Sequence, residues 1–236
     1  MAVFDPTPLR PGSAKPPPRP ADAARRQPPG AMEALATLYS CRRGQEIYRR
    51  ADRAETWYRV VSGLVRKCTV MADGKRRIVD FLLPGDFFGL TARHEHVFAV
   101  EAVVDGTIIA RYPRGRIETI ANSDPQINQL VRDIAFDAIV RLQTRILILG
   151  RTTAVEKVSA FIVEMAQRSS ECVGACFVLP MSRYDIADYL GLSVETVSRA
   201  ITDLKLSGVI TLAGKRRVTI LDRSALEERG DGGAVA

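Results

Sequence analysis

Pro180-Met-Ser-Arg-Tyr-Asp-Ile-Ala-Asp-Tyr-Leu-Gly-Leu-Ser-Val-Glu-Thr-Val-Ser-Arg199, running on through Ala-Ile-Thr202, is the stretch that decides the fold. Ser182 with Asp185 three residues later has the form of a capping box, which satisfies two otherwise orphaned backbone donors at a helix start. Ile186, Ala187 and Leu190 then fall on one helical face. Gly191 stands where the chain must turn through a left-handed conformation, which a residue without Cβ adopts most easily. Ser193 is the N-cap of a second helix whose apolar side is Val197, Ala200 and Ile201. Two helices crossing steeply over a short turn need a small residue at the crossing and apolar residues on both sides. Ala187 and Gly191 meet that need, so the segment reads as a helix-turn-helix, with Gly208 as the C′ residue that ends the second helix.

On that second helix Glu195, Ser198 and Arg199 sit at i, i+3 and i+4 and share one exposed face, with Val194 beside them. Arginine bonds bidentately to guanine O6 and N7, and glutamate accepts from cytosine N4. A carboxylate facing DNA is costly near phosphates unless it reads a base. The competing reading is a surface ion pair between Glu195 and Arg199, which is worth little. Downstream, Leu212-Ala-Gly-Lys-Arg-Arg-Val-Thr-Ile220 reads as a hairpin wing with a basic tip. Ser182, Arg183, Ser193, Thr196, Lys215 and Arg216 are candidates for phosphate contacts, which set register but not sequence preference.

Upstream, Ala154 to Gln167 has the pattern of an amphipathic helix, followed by a loop and a short strand, Phe177-Val178-Leu179. Before it, Ser123-Asp124-Pro125 is a helix start. Apolar residues at Ile127, Leu130, Val131, Ile134, Ala138, Leu142, Ile146 and Leu149 keep helical spacing for about seven turns. A helix this long suggests a dimer seam through Ile127, Val131, Ile134, Ala138, Leu142 and Ile146, with burial inside one subunit as the alternative. From Gln45 to Tyr112 short β-prone runs alternate with the turns Ser62-Gly63, Ala72-Asp73-Gly74 and Asp105-Gly106, the last with the composition of a hairpin turn. This predicts an antiparallel barrel or roll. The expected division is a Pro-rich tail over 1–29, a β-roll over 30–122, a dimerisation helix over 123–152, a winged helix-turn-helix over 153–228 and a tail over 229–236. The fold class is α+β.

Residues 1–29 hold nine of the 13 prolines and show no apolar periodicity. The net charge of +7 favours an anionic partner. No apolar run approaches the ~18 residues of a membrane span, and the N-terminus has no signal-peptide pattern. Four cysteines, Cys41, Cys68, Cys172 and Cys176, are too few for a disulfide scaffold. These features together suggest the cytosol.

The stretch from Pro180 to Arg199 resembles the DNA-binding motif of the CRP/FNR superfamily, and Val-Glu-Thr-Val-Ser-Arg199 resembles the FNR and FixK form of its recognition helix. Gly150-Arg-Thr-Thr-Ala-Val-Glu-Lys-Val-Ser-Ala-Phe161 is also similar to FixK proteins, and Leu83-Pro-Gly-Asp-Phe-Phe-Gly89 to the β-roll turn of the superfamily. The resemblance covers roughly residues 35 to 228 and implies a cyclic-nucleotide-binding-like roll, a dimerisation helix and a winged helix. It further implies a homodimer on double-stranded DNA at a palindrome of TTGA and TCAA half-sites, with Arg199 on guanine, Glu195 on the cytosine side and Ser198 near a thymine. RNA polymerase is the implied further partner, and the expected role is an activator that needs no small molecule.

Gly85-Asp86 takes the first position of a cyclic-nucleotide phosphate cassette, but 91–100 lacks the Arg-Ser or Arg-Thr pair that would grip the phosphate. An iron–sulfur cluster needs four cysteines, and only Cys41 and Cys68 lie in this half. His94 and His96, the two histidines, lie in a polar loop and are expected to be solvated rather than haem ligands. Cys172 and Cys176 make a poor zinc site by themselves and are expected to be free thiols, with redox control as the minority alternative. No cofactor and no metal are therefore expected. The alternative function is an effector-gated sensor of the same fold responding to haem, redox or nucleotide. No phosphate loop, nucleophile elbow or metal constellation supports an enzyme. The small apolar C-terminus, Gly230-Asp-Gly-Gly-Ala-Val-Ala236, is a candidate degradation tag.

Overall fold

The computed structural model describes residues 27–169, 175–214 and 216–230. After a one-turn helix α1 (Gly30–Glu33) come eight strands: β1 (Thr37–Cys41), β2 (Glu46–Tyr48), β3 (Thr56–Ser62), β4 (Val65–Val70), β5 (Arg76–Leu82), β6 (Phe87–Phe88), β7 (Ala99–Ala102) and β8 (Thr107–Pro113). They form two antiparallel four-stranded sheets, ordered β1-β8-β3-β6 and β2-β7-β4-β5. Tyr48, Tyr58, Val60, Val65, Leu82, Phe88, Val100 and Ile109 fill the space between them. The roll is the expected one, but not every turn is of the expected kind.

Ala72-Asp73-Gly74 does close the β4–β5 hairpin. Asp105-Gly106 does not close a hairpin, because β7 and β8 belong to different sheets. It is an arch held by side chains: Arg43 N–H donates to Asp105 Oδ1 (2.9 Å), and the Thr107 hydroxyl donates to the Val104 carbonyl (2.8 Å). Ser62-Gly63 is a second such arch. Gly63 has φ +87°, and a Cβ there would sit 2.5 Å from Thr107 Oγ1, so the two arches interlock only with glycine at that point. Strand β1, which lies ahead of the β-prone region 45–112, is an edge strand exposed along most of its length and so shows no alternation.

Helix α2 (Arg114–Ser123), likewise unexpected, buries only Ile117. Helix α3 (Pro125–Gly150) starts as expected, with Asp124 accepting from the Gln126 N–H (2.8 Å) and Pro125 in its first turn. Its two sides differ in destination. Ile127, Leu130 and Ile134, with Val131 partly covered, pack against Met32, Trp57, Phe87 and Tyr112 of the same subunit. The expectation that Ile127, Val131 and Ile134 line a dimer seam is therefore corrected. The N-terminal half of α3 is a lid on its own roll. At about 3.6 residues per turn, the opposite side carries Phe136, Ile139, Val140, Ile146 and Leu147. These are left open, with Phe136 61% and Ile146 and Leu147 each 67% exposed. Ile146 lies at one edge of that stripe beside exposed Leu142, and half-buried Ala138 turns toward the inner side.

Arg151 to Thr153 break the helix. Thr153 and Glu156 then form a capping box that starts α4 (Ala154–Arg168). Strand β9 (Cys176–Val178), α5 (Arg183–Leu190), α6 (Val194–Leu206), β10 (Ile210–Ala213), β11 (Arg217–Ile220) and α7 (Arg223–Gly230) complete the chain, with the small sheet ordered β10-β11-β9. This unit and the roll share one apolar core, in which the Phe81 ring lies 5.1 Å from Tyr189 and 6.3 Å from Phe161 between centroids.

Candidate nucleic-acid interface

Helices α5 and α6 are built locally as their sequence requires. The Asp185 N–H donates to Ser182 Oγ (3.1 Å) while the Ser182 N–H donates to Asp185 Oδ2 (3.0 Å), completing the capping box. Gly191 has φ +67°, and the Leu192 N–H returns to the Ala187 carbonyl at 3.1 Å. Ser193 Oγ accepts from the Thr196 N–H at 3.1 Å. Ile186, Ala187 and Leu190 of α5 meet Val197, Ala200, Ile201 and Leu204 of α6, all buried. Gly208 has φ +72° just past α6, the C′ geometry expected of it.

With that side of α6 buried, Glu195, Ser198 and Arg199 are exposed together on the other, and Val194 and Thr196 are half-buried at its start. The Ser198 hydroxyl donates back to the Val194 carbonyl (2.8 Å), leaving its oxygen free to accept. Its own backbone N–H and the Ser193 hydroxyl, with a smaller contribution from Arg199, hold the Glu195 carboxyl below its ordinary value. It therefore faces solvent as an acceptor. The face thus offers one anionic acceptor, one hydroxyl and one guanidinium fork, the groups that read base edges in a major groove.

Of the phosphate candidates, Ser193 and Thr196 share a 3.0 Å hydroxyl contact at the start of α6. Arg183 lies half-buried in a groove of about 580 Å³ between α5 and the wing, lined also by Met181, Tyr184, Gly214 and Arg216. Ser182 sits at the same groove, but its hydroxyl already donates to Asp185 Oδ2 at 2.7 Å and accepts at the cap. Arg216 is exposed at the wing. Lys215 and Cys172 lie outside the described residues, as do 231–236 of the candidate tag and 1–26 of the N-terminal segment.

Among the described residues two charged contacts tie this unit to the roll, and neither is announced by the sequence. In the outer one, Arg66 donates to Asp185 (2.5 Å) and Glu101 (2.6 Å), and Arg76 reaches Asp185 (3.1 Å) and Asp188 (2.9 Å). In the inner one, Arg168 pairs with Asp86 (2.9 Å) and Glu164 (3.0 Å).

The family model of the Crp-like helix-turn-helix domain matches residues 156–229, and that of the cyclic nucleotide-binding domain matches 39–124. The nitrogen fixation regulation protein FixK of Azorhizobium caulinodans is 41% identical over 203 residues, covering 85% of this chain and 82% of that protein. FixK of Rhizobium meliloti is 37% identical over 84% of this chain and 89% of its own. The solved structure of FixK2 from Bradyrhizobium japonicum superposes with a TM-score of 0.78 at 38% identity, over 86% of this chain and 100% of that one. The chain is a FixK-like member of the CRP/FNR superfamily. It is accordingly a DNA-binding transcription regulator with the α+β architecture of that superfamily, and its relatives are regulators rather than enzymes. Among the described residues no helix is long and apolar enough to cross a membrane.

Within this FixK-like frame one sensing expectation needs correcting. His94 is exposed, but His96 is buried, stacked on Tyr48 with ring centroids 3.6 Å apart. The polar neighbours in sequence hid this, because the backbone bonds Ala51 N–H to His96 O and His96 N–H to Asp52 O turn that one side chain inward. Burial lowers its pKa. Cys176 is a half-buried free thiol in β9.

Proposed function

We propose that this FixK-like regulator binds a TTGA/TCAA palindrome as a homodimer and activates transcription by recruiting RNA polymerase without a small-molecule effector. The observation that carries the reading is the free recognition face. Glu195, Ser198 and Arg199 stand exposed on one side of α6 while the opposite side is fully packed. Arg199 would read guanine, Glu195 the cytosine partner and Ser198 a neighbouring thymine, with Val194 against a base edge. Arg183, Ser193, Thr196, Lys215 and Arg216 would hold phosphates, and Ser182 would serve mainly the cap. A second copy is the natural cover for the stripe Phe136, Ile139, Val140, Ile146 and Leu147, since a long apolar helix face open to water is the geometry of a coiled-coil seam.

Effector-free protein, titrated onto palindromic and scrambled duplexes, tests the proposal, with in vitro transcription on the same site. The parent should select the palindrome and stimulate transcription unaided. Arg199→Ala should cost about 1–3 kcal/mol and relax preference at the guanine position. Unchanged sequence preference in that variant would remove Arg199 from the reading face.

A further inference from the structure

Arg168 closes α4 as a buried residue, an unusual place for a cation. Its Nη2 donates to the Phe81 carbonyl (2.7 Å) and Asp86 Oδ2 (2.9 Å), and its Nη1 to Glu164 Oε1 (3.0 Å), with Asp80 at 3.8 Å. Asp86 also accepts from the Leu83 N–H (2.8 Å), so the same carboxylate that closes the roll's Gly85-Asp86 turn holds the arginine. From the long helix, Arg141 reaches the same acids, 3.4 Å from Asp80 and 3.5 Å from Asp86. One turn further, Arg145 donates to the carbonyls of Ile78 (2.5 Å) and Tyr189 (3.2 Å) and lies 4.3 Å above the Tyr189 ring. Roll, long helix and DNA-binding unit therefore meet on one set of charges.

The covalent link between the last two is short and extended, since Arg151 and Thr153 both leave helical geometry. Such a joint does not by itself fix the angle between α3 and α6. A buried ion cluster is a poor way to gain stability, because apolar replacements often do as well. Its geometric demands, however, are met in the placement that brings Arg168 onto Asp86 and the Phe81 carbonyl of the roll. In a dimer joined along α3, the placement of α6 against α3 sets the distance between the two recognition helices, and so the half-site spacing.

We propose that Arg168 is a positioning residue: clamped by Asp86, Asp80 and Glu164, it holds the DNA-binding unit in the operator-competent pose and sets the spacing between recognition helices without a ligand. This rests on the reading of the chain as an effector-independent dimer.

The test uses full-length parent, Asp86→Asn and Arg168→Lys. Each is titrated onto duplexes whose TTGA and TCAA half-sites are separated by spacers graded one base pair at a time, and onto non-specific DNA. The parent should favour one spacer. Asp86→Asn should lose about tenfold of that preference while non-specific affinity and dimer mass stay unchanged. Arg168→Lys, which keeps the charge and loses the fork, should fall between them. A merely structural role would instead lower binding to all duplexes by one common factor. If Asp86→Asn does not fold, Glu164→Gln takes its place with the same expected loss. Folded variants that keep the parent's spacer preference, or that lose affinity by one common factor on every duplex, overturn the proposal alone. A parent that selects no palindrome without ligand overturns both it and the function it rests on.

Discussion

The two ionic contacts between roll and DNA-binding unit have opposite polarity. In the outer contact the cations, Arg66 and Arg76, belong to the roll and the acids, Asp185 and Asp188, to α5. In the inner contact the cation, Arg168, belongs to the DNA-binding unit, and Asp80 and Asp86 to the roll. A slide of one unit over the other would bring like charges together at both ends, so the pair of contacts rejects alternative dockings as well as favouring this one. The contacts also differ in wetness. The Arg168 side chain is 6% exposed, that of Arg66 15% and that of Arg76 33%, so the outer contact is wet chiefly at Arg76. Charge pairs gain in water-poor surroundings only when every partner stays, so the drier contact should be the more fragile to truncation.

The largest effect should come from Arg168→Met. It keeps the volume but removes the fork that holds Asp86 and the cation paired with Glu164, leaving Arg141 alone beside Asp80 and Asp86, and burial already raises the Glu164 pKa. A loss of about 3–5 kcal/mol is expected, read as a fall in the urea midpoint at unchanged slope. A loss no greater than that of the outer-contact variants below would show that burial does not rank the two contacts.

These differences were out of reach of the sequence, while the recognition helix was not. Ser182, Asp185, Gly191 and Ser193 act on neighbours a few residues away, so spacing alone announces the capping box, the left-handed turn and the second cap. The same holds for Asp124 and Pro125 at the start of α3. Arg168 and Asp86 are 82 residues apart, and Arg66 and Asp185 119. No local pattern encodes which arginine meets which acid. Periodicity showed that α3 has apolar positions but not that there are two apolar sides with different partners. Ile127 and Ile134 thus keep the spacing of a seam yet face their own roll, while Phe136 and Leu147 form the open side. Strand β1 gave no alternation to read, and the Asp-Gly signal at Asp105 marked a chain reversal without revealing that it crosses between sheets.

The next effect in size should be that of Asp185→Ala, which removes both the reciprocal half of the capping box and the acceptor of Arg66 and Arg76. About 2 kcal/mol is expected at neutral pH. Its pH dependence sharpens the comparison. Burial pushes the Asp185 carboxyl up, but bonds from Ser182 and the charges of Arg66 and Arg76 outweigh it and leave the pKa below the ordinary value. A depressed carboxyl contributes stability above its unfolded pKa and loses it as pH falls through the folded one. The parent should therefore lose this share below about pH 4, and Asp185→Ala should lose less over that window. Parallel acid limbs in chemical denaturation would show that the outer contact does not hold this carboxylate ionised.

The smallest effects come from cations with water at hand. Arg76→Ala should cost about 1 kcal/mol or less, because Arg66 still holds Asp185 and solvent reaches Asp188. Arg223, paired with Glu227 one turn along α7 at 2.8 Å, has a 59% exposed side chain. Arg223→Ala should shift stability by no more than about 0.5 kcal/mol. The pair separates contact from mere charge. Arg76→Ala should also speed hydrogen exchange in α5, whose first turn it helps to hold on the roll, whereas Arg223→Ala should leave α5 untouched. Equal exchange in both variants would mean that Arg76 adds nothing to the hold that Arg66 keeps on Asp185.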